Sequence, residues 1–206
     1  MLLPMNPKNP EKRKVARAVE VLRDGGVIAY PTGTVYGIGC DLTNKKALER
    51  VYLIKGIDRK KPLSFLCPDL GDISRFAHVD NTTYRVLRRL VPGPYTFILE
   101  ATKEVPRLVL RKRNQIGIRV PDHPVAKALL EGLGSPIIST SASKDGKVLI
   151  DPEEIDAAYP ALDLVLDAGP GSNQPSTILS FNADGEVEVI REGAGSLEQI
   201  RISQTP

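Results

Sequence analysis

The chain has 206 residues, 41% of them hydrophobic, and balances 28 Lys and Arg against 25 Asp and Glu for a formal net charge of +3 at pH 7. That apolar content supports one large globular domain, and so small a net charge does not by itself demand a nucleic-acid partner. No stretch approaches the roughly 18–20 uninterrupted apolar residues that span a bilayer, and the opening MLLPMNPKNPEKRK lacks a signal-peptide core, so a cytoplasmic protein without a membrane association is expected.

In chain order, Asn9-Pro10-Glu11 offers an N-cap, a first-turn proline and an early carboxylate to a helix whose Val15, Ala18, Val19 and Leu22 share one face. Gly25-Gly26 ends it, and Val27–Tyr30 is short and apolar enough for a buried strand. Asn44 can cap a second helix that carries Ala47, Leu48, Val51, Tyr52 and Ile54 and closes near Lys55-Gly56. A strand at Leu63–Cys67, a helix around Thr82–Leu90, strands at Tyr95–Ala101 and Ile116–Val120, and a helix near Pro124–Glu131 follow. Pro136–Thr140 then reads as a strand entering a serine-rich turn. The C-terminal part holds strands at Asp163–Leu166, Thr177–Phe181 and Val187–Arg191, the last two a hairpin turning at Asn182-Ala183-Asp184-Gly185.

This order predicts one α/β domain: a twisted, open, mixed parallel and antiparallel sheet flanked by helices, with antiparallel pairing near the end of the chain. In such sheets ligands commonly sit beyond the carboxyl ends of strands. Pro31–Gly39, Ser139–Ser143 and Arg119 each follow or close a strand, so they are expected to converge there. Cys40 and Cys67 are too few for a disulfide framework or a four-ligand metal site and are expected as buried free thiols. His78 and His123 are isolated and carry no metal assignment; His123 follows the GIRVP segment and is placed to border a pocket. The clusters Lys12-Arg13-Lys14, Lys60-Lys61, Arg88-Arg89 and Arg111-Lys112-Arg113 read as solvated helix faces or, alternatively, as an electrostatic footprint for RNA.

The segment VIAYPTGTVYGIGCD, residues 27–41, has the look of a nucleotide loop but meets neither common pattern. A P-loop needs a glycine-rich turn running into Lys-Ser or Lys-Thr, and a dinucleotide fingerprint needs a third glycine two residues beyond Cys40. As plain structure, Gly33, Gly37 and Gly39 would supply turns with positive φ.

The stretch YPTGTVYGIG resembles the corresponding segment of the YrdC-like family, the threonylcarbamoyl-AMP synthases that feed a tRNA modification. KGIDRKKPL, VPGPYTFIL, GIRVPDHP, STSAS, STI and REGA follow in the family's order, so the resemblance spans about residues 9–202 of a single domain. It implies the YrdC-like (DHBP synthase-like) fold with a deep concave cleft. It also implies a nucleotidyltransferase that makes threonylcarbamoyl-adenylate from L-threonine, bicarbonate or CO2, and ATP, releasing pyrophosphate, with Mg²⁺ carried in on the ATP.

Carried over by this resemblance, Thr32 and Arg119 bind threonine with Ser139 and Ser176 beside it. Lys55, Ser141 and Arg191 stand at nucleotide positions, with Lys55 and Ser141 in the catalytic role. A guanidinium suits a carboxylate because it offers two parallel hydrogen bonds. Three departures stand out: Ile57 where many synthases have arginine, Ser143 where they have asparagine, and Leu66 where some have histidine. Arg59 is the available replacement for the missing phosphate arginine. These substitutions, with NPKNPEKRKVARAVEVLRDGGVIAYPT and TKEVPRLVL, resemble the YciO branch of the family.

Three readings follow. One is a synthase, full or weak. Another is a YciO-type non-synthase that binds double-stranded RNA, tRNA or a ribosomal particle, or acts on threonylcarbamoylated tRNA. The third is a small-molecule or hydrolytic role on a nucleotide. Convergence of Lys55, Arg59 and Arg191 on a pocket with Thr32 and Arg119 at its far end favours the first; an Arg59 turned to solvent counts against it.

Overall fold

The computed structural model describes residues 1–59, 61, 63–110, 114–181 and 185–204. Ten strands form one sheet in the order β1 (Leu2–Pro4), β10 (Leu164–Asp167), β2 (Ile28–Tyr30), β3 (Gly37–Asp41), β7 (Ile137–Ser141), β4 (Ser64–Leu66), β6 (Gln115–Arg119), β5 (Tyr95–Glu100), β11 (Thr177–Phe181) and β12 (Val187–Arg191). Pairing is parallel for β1/β10, β10/β2, β4/β6 and β5/β11, and antiparallel for β2/β3, β3/β7, β7/β4, β6/β5 and β11/β12. The mixed sheet agrees with expectation, but antiparallel pairs occupy its centre as well as its end. Two of them, β2/β3 and β3/β7, come from β3, a strand inside the segment expected to be loop. Two of its five residues are glycine, and its pairing on both edges overrides their weak strand propensity.

Each face of the sheet has its own hydrophobic cluster, assembled by alternation along the strands. On one face Phe65, Phe97, Ile118, Ile138 and Leu179 pack with Leu48 and Val51 of α2 (Lys45–Lys55), Ile73 and Phe76 of α3 (Leu70–Phe76), and Val86 and Leu87 of α4 (Asn81–Leu90). Ile155 of α6 (Pro152–Ala158) and Ile200 of α7 (Leu197–Gln204) extend that layer. On the other face α1 (Lys12–Arg23) and α5 (Pro124–Leu133) cover Ile28, Tyr30, Ile137, Leu164 and Leu166. This second layer is shorter, and the concave face across β7, β4, β6, β5 and β11 carries small polar side chains instead.

Helix ends explain the boundaries. Asn44 caps α2 through Ala47 N at 3.0 Å, as expected. At the other end Gly56, at φ +60°, and Ile57 return their N–H groups to Leu53 O and Tyr52 O, a Schellman closure with the apolar Ile57 packed on the core. The first helix differs from its expected start. It begins at Lys12, and Asn6 rather than Asn9 organises the approach, accepting from the backbone N–H groups of Lys8 and Asn9. The Glu11 carboxylate reaches back to Asn6 N and forward to Lys14, which hold it down to about 2. His123 caps α5, its Nδ1 accepting from Val125 N at 3.2 Å, and does not line the cleft. The hairpin turn expected at 182–185 and the cluster at 111–113 lie largely outside the described residues, as does Lys60.

Candidate functional site

The uncovered polar face forms a cleft of about 190 Å³. Residues two apart on the same strand share its floor: Ser64 and Leu66 on β4, Ser139 and Ser141 on β7, with Thr96 of β5, Arg119 of β6 and Ile178 of β11. Their neighbours Phe65, Ile138, Phe97, Ile118 and Leu179 point the other way into the core. The ligand space therefore lies on the sheet's face, whereas the sequence pointed to the carboxyl ends of the strands. Antiparallel β7 places Ser139 opposite Ser64, and parallel β6 places Arg119 opposite Leu66.

The glycine-rich segment builds one wall. Gly33, at φ +84°, is the one of its three glycines in the left-handed region. Gly37 and Gly39 lie in β3, where closeness rather than turn geometry excludes a side chain. A Cβ on Gly39 would overlap the Ile138 carbonyl, and one on Gly37 would sit 2.8 Å from Ser139 Oγ and 3.2 Å from Tyr30 Cζ.

Arg119 is the buried cation of the cleft, 5% exposed. Its Nε donates to Gly93 O at 2.9 Å, Nη2 to Thr32 O at 2.9 Å and Nη1 to Thr34 Oγ1 at 2.6 Å, with Thr32 Oγ1 farther at 3.4 Å. All four acceptors are neutral, and among the described residues no carboxylate bonds the guanidinium; burial lowers it to about 10. A desolvated cation hydrogen-bonded only to neutral acceptors favours an anion nearby, and the Asp122 carboxylate within electrostatic reach offsets part of the burial. Thr32 is present but inward-looking, since its hydroxyl donates to Val35 O at 2.7 Å and stabilises its own turn. Thr34, not singled out in the sequence, stands with it in the wall.

Ser176 and Arg191 close the opposite side. Ser176 Oγ shares a hydrogen bond with Thr96 Oγ1 at 2.8 Å, and Arg191 Nη2 donates to Ser176 O at 2.7 Å. A register shift between Ile178 and Leu179 pairs them with Arg191 and Val189, so a bulge at the strand end redirects Arg191 to the cleft. Thr177 staples the following loop, donating to Gly195 O and accepting from Gly193 N and Gly195 N. Neighbouring serine and threonine in the STI segment thus have separate jobs, lining and bracing.

Lys55 lies beside this cleft, on an adjoining cavity of about 500 Å³ that also exposes Ile57, Ser143, Lys144 and Tyr159. Its ammonium donates to Ser141 O at 3.0 Å, to Tyr159 Oη at 2.8 Å and to Ser143 O, so its three N–H bonds already have partners. Burial, then the neighbouring Lys61, lowers it to about 8. As placed, it braces the serine turn from beneath. Lys61 and Thr140 line both cavities and join them. Arg59 is exposed and lines neither, which counts against the synthase by the criterion given above, and the convergence anticipated for Lys55, Arg59 and Arg191 is only partial: Arg191 shares the cleft with Thr32 and Arg119, Lys55 stands next door, and Lys61 rather than Arg59 brings a further cation to the cleft. Leu66 lines the cleft, while Ile57 and Ser143 share the second cavity.

The fold and the cleft define an α/β protein with a concave, polar cleft lined by hydroxyls and the cations Lys61, Arg119 and Arg191. A family model for the Sua5/YciO/YrdC domain, described as "Telomere recombination", matches residues 20–193, and the chain belongs to this family. It is 42% identical to YciO of Escherichia coli K12 over 198 residues, covering 94% of this chain and 96% of that protein. The crystal structure of E. coli YciO superposes with a TM-score of 0.91 at 40% identity, covering 97% and 98% of the two chains. Threonylcarbamoyl-AMP synthase from Bos taurus is 33% identical over 197 residues, which cover 90% of this chain and 71% of the synthase. P. abyssi Sua5, crystallised with L-threonine, shares the fold with a TM-score of 0.91 at 24% identity, over 98% of this chain and 60% of its own. Among the described residues no helix is long and apolar enough to cross a membrane.

Proposed function

We propose that the cleft performs threonylcarbamoyl-AMP synthase chemistry, joining L-threonine, bicarbonate and ATP into threonylcarbamoyl-adenylate with release of pyrophosphate. The observation that carries this reading is the make-up of the wall. Its described lining holds eight Ser and Thr residues and the cations Lys61, Arg119 and Arg191, with no carboxylate. The carbamate of threonine and the triphosphate it attacks are both anionic. A wall of this kind offsets their repulsion, and its fixed hydroxyls hold the carbamate oxygen in line with the α-phosphorus. The family membership and the synthase relative support the same chemistry, and the Sua5 complex gives a precedent within the fold for threonine.

In this scheme Arg119 is the threonine carboxylate's electrostatic partner, with Ser139 and Ser176 beside the amino acid, while Thr32 and Thr34 shape that end of the cleft. Arg191 and Lys61 meet phosphate charge, Ser141 lies between, and the cavity along Lys55 and Tyr159 takes the rest of the nucleotide. Mg²⁺ would arrive on ATP, held mainly by phosphates and water, since the described lining offers it no carboxylate.

The test is pyrophosphate release measured with each substrate omitted in turn; release that needs both threonine and bicarbonate is expected. The double variant Ile57→Arg/Ser143→Asn alters two residues of one cavity and is expected to raise the rate, by roughly 30-fold or more if a missing phosphate arginine is the limiting defect. Release that ignores threonine and bicarbonate in both proteins would remove this reading. The RNA-binding alternative rests on the basic clusters, but Lys12-Arg13-Lys14 begins α1 and Arg88-Arg89 ends α4, helices on opposite faces of the sheet. Those two clusters therefore do not share a concavity, while Lys61 lines the cleft and Lys60 and residues 111–113 lie outside the described residues.

A further inference from the structure

Tyr159 stands where the second cavity meets the serine turn. It follows the last residue of α6, a helix that Ile155 anchors in the core, and its backbone is held from both sides: its N–H donates to Ile155 O and its carbonyl accepts from Leu162 N, each at 3.0 Å. The residue is buried, yet it lines the cavity beside Lys55. Its hydroxyl accepts from Lys55 Nζ at 2.8 Å and donates to Ser143 O, and the ammonium lies 4.8 Å from the ring centroid.

The same ammonium also holds the carbonyls of Ser141 and Ser143. Ser141 ends β7, opposite Gly37, and lines the cleft; Ser143 begins the short hairpin of residues 143–148 and lines the second cavity. With its carbonyl tied to Lys55, the orientation of the Ser141 peptide depends on where the ammonium sits. Two carbonyls and one phenol define that position, three neutral acceptors for three N–H bonds. Tyr159 is the side chain among them. Because its hydroxyl also donates to Ser143 O, it closes a ring of hydrogen bonds from Lys55 to Tyr159 to Ser143 and back to Lys55, an arrangement in which each bond strengthens the next.

We propose that Tyr159 is a positioning residue of this site, its hydroxyl acting through the Lys55 ammonium to hold the Ser141–Ser143 turn in the orientation that presents Ser141 to the cleft. This deepens the reading given under Proposed function and rests on it for the role of Ser141 in turnover. Tyr159→Phe removes the hydroxyl and keeps the ring with its packing. The freed N–H of Lys55 turns to water in the open cavity, so the fold is kept and what is lost is the fixed place of the ammonium.

Acting through Lys55, Tyr159→Phe is expected to lower kcat about fivefold with the KM for ATP and threonine within about threefold of wild type, and to add less than about twofold on top of Lys55→Met, because residues of one network do not act additively. Lysine labelled with ¹³C at Cε gives a readout that needs no turnover, the Lys55 signal being the one missing from Lys55→Met. Burial, then the neighbouring Lys61, sets the Lys55 midpoint at about 8 in the native protein. A neutral oxygen that accepts from the ammonium favours the charged form, so its loss is expected to move the midpoint about one pH unit lower, with Lys61, Lys144 and Asp145, the other charged groups of the cavity, left in place. A Lys55 midpoint that does not move overturns the inference whatever the rate does, and leaves the synthase reading standing. So does a raised ATP KM at constant kcat, which would make Tyr159 a nucleotide contact, and so do fully multiplicative effects in the double variant. A shifted midpoint in a protein that forms no adenylate, either as wild type or as Ile57→Arg/Ser143→Asn, supports the inferred hold on Lys55 and removes the synthase reading.

Discussion

Replacing Arg119 by lysine keeps the buried charge and removes the fork. In the native protein Nε and Nη2 reach Gly93 O and Thr32 O, both at 2.9 Å, from different sides of one planar group, while Nη1 reaches Thr34 Oγ1. A lysine ammonium is a single point on a flexible stem and cannot occupy those edges together. If it keeps the Thr34 contact, two charge-assisted bonds to buried carbonyls are lost, at about 1.5–3 kcal/mol each, for a total of about 3–6 kcal/mol. That is a large fraction of the roughly 5–15 kcal/mol that holds a typical domain. Urea denaturation is the assay, and the expected result is a lower midpoint at unchanged slope. A variant within about 1 kcal/mol of wild type would refute the claim that the guanidinium ties the loops around Thr32 and Gly93 into one wall.

Three further outcomes follow from other parts of the structure. Lys55→Met is expected to lower kcat about tenfold with the ATP KM within about threefold of wild type, because the ammonium holds the Ser141 and Ser143 carbonyls rather than a phosphate; a raised KM at constant kcat would assign the lysine to ATP instead. Gly117→Ala places a Cβ 2.5 Å from Ser64 Oγ on the cleft floor, so threonine binding is expected to weaken more than thermal stability, as titration and melting together would show. Burial lowers the His123 pKa below its ordinary 6.5. Above that pH the imidazole is neutral in both states and the α5 cap is intact; as pH falls the unfolded chain protonates first, so stability declines from about pH 6.5 downward until the folded pKa is passed. His123→Asn keeps a capping side chain and should abolish that component, measurable as urea midpoints at pH 7.5, 6.5 and 5.5.

Much of the architecture was legible because apolar periodicity and caps act locally. Asn44, Gly56 and the face carrying Leu48 and Val51 were sufficient to place α2. The elements that escaped are those whose cause is tertiary or whose signal is short. Strand β3 is held by partners on both edges despite its glycines. The hairpin of β8 (Ser143–Lys144) and β9 (Lys147–Val148) turns on Asp145-Gly146, both at positive φ, inside what read only as a serine-rich turn. Asp151-Pro152-Glu153 opens α6 with a capping aspartate and a first-turn proline, a start signal only three residues long ahead of a seven-residue helix.

The site divides in the same way. Arg119, Ser139, Ser141, Ser176 and Arg191 meet in one cleft as the family resemblance implied, although nothing in their spacing shows that they share a sheet face. Ser64 and Thr96 became visible only through register, since an ordinary serine or threonine in a strand carries no signal until its neighbours are known, and Thr34 and Lys61 reach the cleft from loops whose placement is tertiary. Ile57 shows why a departure from a motif needs structure to interpret. It closes the Schellman turn of α2 and packs on the core, so its apolar side chain has a local function at the position where many synthases use a phosphate cation.

The central claim is that this cleft joins threonine, bicarbonate and ATP. Incubation with ¹⁴C-bicarbonate, L-threonine and ATP, followed by chromatographic separation of the adenylate, tests it most directly. The account predicts label in a threonylcarbamoyl-adenylate that vanishes when threonine or ATP is withheld and drops sharply in Arg119→Lys. Absence of labelled adenylate from the folded wild-type protein and from Ile57→Arg/Ser143→Asn alike would contradict it.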